Sequence, residues 1–174
     1  MNPSLRLIPL VICGITATAA AQAPVSDALR STAKRAGTNL IAAAEEMPAG
    51  QYGFKPTPAQ MSFGDVIAHL SGGNDFLCSS ISGVTAPKRS EIKGGAPKAK
   101  LVSALRESFQ FCESALGKVN DSGLSQKVPF FGNREVSRAE MMFAAGEDWA
   151  DHYSQLAIYL RLNGLLPPTA KQKE

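Results

Sequence analysis

The chain has 174 residues, 44% of them hydrophobic and 19% charged, with a formal net charge of +3 and three cysteines. That is the profile of one folded domain, and the small basic excess without any run of five Lys or Arg excludes an electrostatic footprint for nucleic acid. Two histidines, and two cysteines beyond residue 21, exclude zinc ribbons with four cysteines and haem attachment through Cys-x-x-Cys-His, so a metal site must combine His with carboxylates.

The first segment reads as a secretory signal peptide. Arg6 supplies the positive end, residues 7–20 are uncharged and mostly apolar, and small residues follow. Pro9 and Gly14 break the apolar stretch, which is too short for the about 20 residues of a transmembrane helix. Ala19-Ala20-Ala21 places the cleavage between residues 21 and 22, giving a signal peptide over 1–21; Ala21-Gln22-Ala23 offers a second cut at 23/24, directly before Pro24. Ile12 is too bulky before Cys13 for a lipoprotein signal. The expectation is a secreted or periplasmic protein without stable membrane insertion after cleavage, in a compartment where disulfides persist.

Four helices follow. From Ser26, Leu29, Ala33, Ala36, Leu40, Ala44 and Met47 recur at three and four until Pro48 and Gly50. A loop with Pro56 and Pro58 leads to Ser62, which caps a second helix with Asp65 reaching back; Val66, His69, Leu70, Gly73, Leu77 and Ile81 carry it to Gly83. Residues 84–97 are broken by Gly and Pro and read as a long exposed crossover. The third helix starts near Pro97, presents Leu101, Leu105, Ser108, Cys112, Ala115 and Val119, and stops at Asn120-Asp121-Ser122-Gly123. Between Leu124 and Val136 the pattern is that of an extended or hairpin-like connector. Ser137 and Glu140 then form a second capping box, opening a helix to Asn163 with Gly164 behind it. With no βαβ pattern, the fold class is all-α, a four-helix bundle.

One constellation can carry chemistry. Asp148 and His152 are four apart on the last helix and share a face, while His69 sits in the second helix among apolar neighbours. Two imidazoles and a carboxylate from facing helices suit three positions of a divalent cation and leave others for water or substrate. The same spacing is met by histidines that are merely hydrogen-bonded in a core. Asn74, Trp149 and Tyr153 are candidates to line a substrate pocket, with core packing as the competing reading.

From Ser26 to Pro168 the chain resembles the DinB-like (DinB/YfiT) family of four-helix bundles, leaving 169–174 as a flexible tail. The resemblance rests on Lys55-Pro56 followed by Met61-Ser62-Phe63-Gly64-Asp65-Val66-Ile67-Ala68-His69-Leu70, and on Glu147-Asp148-Trp149-Ala150-Asp151-His152-Tyr153-Ser154-Gln155-Leu156. Family members typically carry a His on helix two and His-x3-His on helix four. His69 falls on the first and His152 on the last; Asp148 stands where the family has its middle His, and Ser154 where it has Gly. The resemblance implies an up-down-down-up bundle and a divalent metal, Zn, Ni, Mn or Fe, held by His69, Asp148 and His152. The added negative charge of Asp148 favours a hard ion and makes a bound water less acidic. In that arrangement Cys78 and Cys112 sit at one level of parallel helices, where they either pair or pack as two buried thiols.

Characterised branches of the family include metal-dependent transferases that use low-molecular-weight thiols. Export argues for water instead, because such thiols are mainly cytosolic. The functional expectation is metal-assisted hydrolysis or group transfer on an unknown small molecule. Its alternative is a non-catalytic binding or structural module whose site has decayed; a homodimer is compatible with either.

Overall fold

In the computed structural model, which describes residues 23–171, four long helices share one apolar core. They are α1 (Pro24–Glu46), α2 (Phe63–Ser82), α3 (Lys98–Leu116) and α4 (Arg138–Leu162). A hairpin of β1 (Lys127–Phe130) and β2 (Arg134–Ser137) joins α3 to α4, and one helical turn, α5 (Pro168–Lys171), follows. The expected signal peptide, residues 1–21, lies outside the described residues. No helix among the described residues is long and apolar enough to cross a membrane.

Two of the helices start where the sequence places their caps. The Ser62 hydroxyl accepts the Asp65 N–H at 3.1 Å while the Asp65 carboxylate accepts the Ser62 N–H at 3.2 Å; Ser137 and Glu140 repeat the arrangement at 3.2 and 2.6 Å. Each cap contributes about 1 kcal/mol by satisfying an N–H that has no partner inside its own helix. Gly83 ends α2 in the left-handed region, at φ 74°.

α1 has no side-chain cap of its own. The Asp121 carboxylate, arriving from beyond α3, accepts the Val25 and Ser26 N–H groups at 3.0 and 2.9 Å. At the other end the Lys98 ammonium donates to the carbonyls of Glu45 and Met47 at 2.6 and 2.8 Å. In return Arg30 of α1 donates to the carbonyls of Leu116 and Val119, which closes the end of α3. That helix is therefore shorter than its apolar stripe predicts: it ends at Leu116, and Val119 is buried from a turn rather than from a helix.

The cross-links fix the helix directions. Asn74 meets Ser108, and Cys78 meets Cys112 in a buried disulfide with Cα atoms 5.2 Å apart, so α2 and α3 run the same way. Met61 pairs with Tyr159 and Asn74 with Trp149, so α4 runs opposite to α2. Arg30 against Leu116 and Lys98 against Met47 make α1 antiparallel to α3, and therefore parallel to α4.

The crossover from α2 to α3 is a long loop with most of its residues exposed, as expected, but it is pinned to the bundle at a few points. Val84, Ile92 and Ala96 lie against the core. Gly94 is buried so tightly on the start of α2 that a Cβ at Gly64 would stand 2.2 Å from its carbonyl oxygen, and both positions need glycine. Arg89 fastens the loop, its guanidinium donating to Asp75 of α2 and Glu107 of α3, each at 2.7 Å. The hairpin expected between Leu124 and Val136 is present, in register from Lys127↔Ser137 to Phe130↔Arg134. Where the sequence suggests a flexible tail from residue 169, Thr169 instead bonds the Tyr153 hydroxyl through its own hydroxyl and N–H, at 2.9 and 3.0 Å.

Candidate metal centre

Antiparallel packing of α2 on α4 brings His69 against the turn that carries Asp148 and His152. Each of the three offers a ligand atom, and all three atoms lie within 4.8 Å of one another. The two imidazole rings are 4.9 Å apart between centroids and tilted by 32°. His69 is exposed at the edge of the bundle, whereas Asp148 and His152 are half-buried behind it.

The His152 ring is held by its own helix. Nδ1 lies 2.7 Å from the Asp148 carbonyl oxygen and 3.4 Å from that residue's carboxylate. A carbonyl only accepts, so Nδ1 carries the proton and Nε2 keeps the lone pair a cation needs. Burial pushes the Asp148 carboxyl above the usual carboxylate range; His152 and His69 pull it back, and Asp151 adds to the rise. A partly desolvated carboxylate facing two imidazoles is a donor set that a divalent cation fits. Ligands bonded tetrahedrally at about 2.1 Å stand roughly 3.4 Å apart, so donors within 4.8 Å of one another need to close by at most about 1.4 Å.

Beside these donors lies a groove of about 990 Å³ that runs along α2 under the crossover. His69 and Asp148 stand at one place on its lining, and Phe76, Arg89 and Phe131 at others. Its floor is Gly72-Gly73, where an added Cβ would meet no atom within 4 Å at either position. A glycine inside a helix costs about 1 kcal/mol relative to alanine, and neither a positive φ nor close packing requires one at these positions.

None of the three residues suggested as pocket lining reaches this groove. Asn74 and Trp149 are buried to 0% and 1% exposure, because the Trp149 indole N–H donates to the Asn74 side-chain oxygen at 2.7 Å. The Asn74 amide in turn donates to Ser108 at 2.9 Å, and Ser108 donates to the Leu105 carbonyl at 2.8 Å. These polar atoms satisfy one another, so the residues belong to the core. Tyr153 faces α1 and α5, where its hydroxyl bonds Thr169. Sequence reasoning missed Phe76, Arg89 and Phe131. The Gly72-Gly73 pair in an otherwise good helix was the available signal.

A helical domain that holds a His/Asp/His donor set beside an open groove is the class these observations define. The chain belongs to the DinB superfamily, whose family model matches residues 32–156. Among solved structures it is similar to a DinB-like protein, YjoA, from Bacillus subtilis, with TM-score 0.63, 18% identity, and coverage of 79% of this chain and 92% of that one. A DinB-like protein from Bacillus cereus gives TM-score 0.66 and 16% identity, with coverage of 82% and 95%. A mycothiol-dependent maleylpyruvate isomerase gives TM-score 0.61 and 14% identity, with 75% of this chain lying on 60% of that one. At these identities the likeness is one of fold. No protein of curated function matches the sequence.

Proposed function

We propose that this protein is an exported up-down-down-up four-helix bundle whose His69, Asp148 and His152 hold a divalent cation for hydrolysis or group transfer on a small molecule. One observation carries the reading: three donors from two helices converge within 4.8 Å, two of them, His69 and Asp148, lining a groove of about 990 Å³. A cation bound by three protein ligands supplies Lewis acidity and lowers the pKa of a bound water.

The protein's own residues divide the remaining work. His152 is oriented by its Nδ1 bond to the Asp148 carbonyl, so it presents one nitrogen lone pair. Asp148 contributes the negative charge that offsets the cation, and burial makes that charge costly unless it is paired. His69, at the exposed edge, is the donor beside which substrate enters. A thiol-dependent isomerase shares the fold, but export favours water as the nucleophile, because low-molecular-weight thiols are scarce outside the cytosol. The Cys78–Cys112 disulfide supports an oxidising compartment.

The test is metal analysis of protein purified without chelators or metal-affinity resin. About one divalent ion per chain is expected, and His69→Ala and His152→Ala should each remove it. Full metal content in both variants overturns the site. The contrary reading, a module with a decayed site, is favoured by the 3.4 Å approach of His152 Nδ1 to the Asp148 carboxylate, a pairing that needs no ion. It requires metal-free wild-type protein.

A further inference from the structure

The groove has an apolar end that the proposed cation chemistry does not use. Phe76 of α2 and Phe131 at the tip of the hairpin meet with ring centroids 4.5 Å apart at 37°, and Phe131 is 52% exposed. Both rings line the same groove as His69 and Asp148. Phe76 stands two turns beyond His69 on one face of α2, about 10 Å along the axis. Between them the helix surface is Gly72-Gly73, with open space over both positions. No internal demand explains this pair: the backbone is not left-handed, and no neighbour would touch a side chain there. Two glycines kept at a cost to the helix leave this part of the lining free of side chains. Over it a planar body can lie with its far edge on exposed aromatic surface.

We infer that the groove takes a small molecule with a metal-liganding head and an aromatic ring a short spacer away, the head at His69 and Asp148 and the ring across Gly72-Gly73 against Phe76 and Phe131. This specificity rests on the metal reading above. The ring-binding end is built by two parts of the chain, α2 and the β1–β2 turn, so the hairpin has a role beyond connecting α3 to α4.

Two hydroxamic acids with the same liganding head test it by calorimetric titration of the zinc-loaded protein: acetohydroxamic acid, which has no ring, and 3-phenylpropionohydroxamic acid. The aromatic compound is expected to bind at least about tenfold more tightly. Phe131→Ala, an exposed position, should reduce that preference to about twofold or less while leaving the affinity for acetohydroxamic acid within about twofold. Gly73→Leu, whose side chain would occupy the floor, should do the same and raise the melting temperature, because leucine is the better helix former. Zinc bound by the wild type with equal affinity for the two compounds overturns the ring site and leaves the metal centre standing. A preference that survives both variants also overturns it. Failure of the wild type to bind zinc overturns the metal reading, and this one with it.

Discussion

Two polar clusters link α2 to α4, about a turn and a half apart on α2, and they differ in how their polar atoms are satisfied. Asn74, Trp149 and Ser108 form a closed cluster: each polar side-chain atom has a partner at 2.7 to 2.9 Å, the residues are buried, and the Cys78–Cys112 disulfide lies one turn further along. His69, Asp148 and His152 form an open one, with three donor groups facing each other at the edge of a groove. Both clusters are polar and both span the same helix pair. What separates the two is where their polar atoms turn: those of the closed cluster bond one another inside the core, and those of the open one converge beside the groove.

The closed cluster is expected to show the larger effects. Removing the disulfide by Cys78→Ala with Cys112→Ala should lower stability by about 3 to 4 kcal/mol in the chain-entropy model for a sequence separation of 34. Urea unfolding of the double variant measures this, and its metal content should match the wild type. Next in size is Asn74→Ala, which leaves the indole N–H of a fully buried Trp149 without an acceptor. Its cost should be about 2 to 3 kcal/mol, again without loss of metal. A variant of the closed cluster that loses metal and stability together would show that the two clusters are not separable.

On the open side the expected changes are in affinity. Asp148→Ala should weaken zinc binding by more than about tenfold, roughly 1.4 kcal/mol, whereas Asp148→His should keep or tighten it. Competition titration with a chelating dye reads both. If the carboxylate is instead a relic, the cost of its burial outweighs its pairing with His152, and Asp148→Ala should be neutral or stabilising with no change in metal.

Acid sharpens the contrast with the smallest effect. The closed cluster contains no carboxylate, so Asn74→Ala should lower the curve of stability against pH without changing its slope in acid. Asp121 behaves otherwise: hydrogen bonds from the Ser26 hydroxyl and from the Val25 and Ser26 N–H groups hold its carboxyl below the ordinary 3.8. A carboxyl depressed in the folded state contributes stability above its unfolded pKa and loses it as pH falls through the folded value. Asp121→Asn should therefore flatten the loss of stability below about pH 4, as read by thermal melting across that range.

Two helix caps follow from local sequence alone. Ser62 with Asp65 and Ser137 with Glu140 are legible because a capping box is a bond between groups three residues apart, and local geometry alone decides it. The i, i+4 relation of Asp148 and His152 is legible for the same reason. His69 joins them as the chain's other histidine, on an inward stretch of the second helix, and the family motifs point to the same three residues.

The ends of α1 are different. Asp121 caps residues 95 and 96 positions earlier in the chain, and Lys98 closes the far end from 51 and 53 positions away. No local rule predicts such partners. For Asn74 and Trp149 the sequence leaves pocket lining and core packing open on similar grounds: a polar residue on an inward helix face looks alike from sequence whether it lines a pocket or is satisfied inside the core. Its partner, Ser108 or the indole N–H, is supplied by another helix. The groove depended on tertiary structure entirely, since Phe131 reaches Phe76 only once the hairpin folds onto α2. Spacing along one helix is fixed by the backbone repeat, whereas the meeting of separate elements is fixed by which faces they bury together, and that is decided only in the packed molecule.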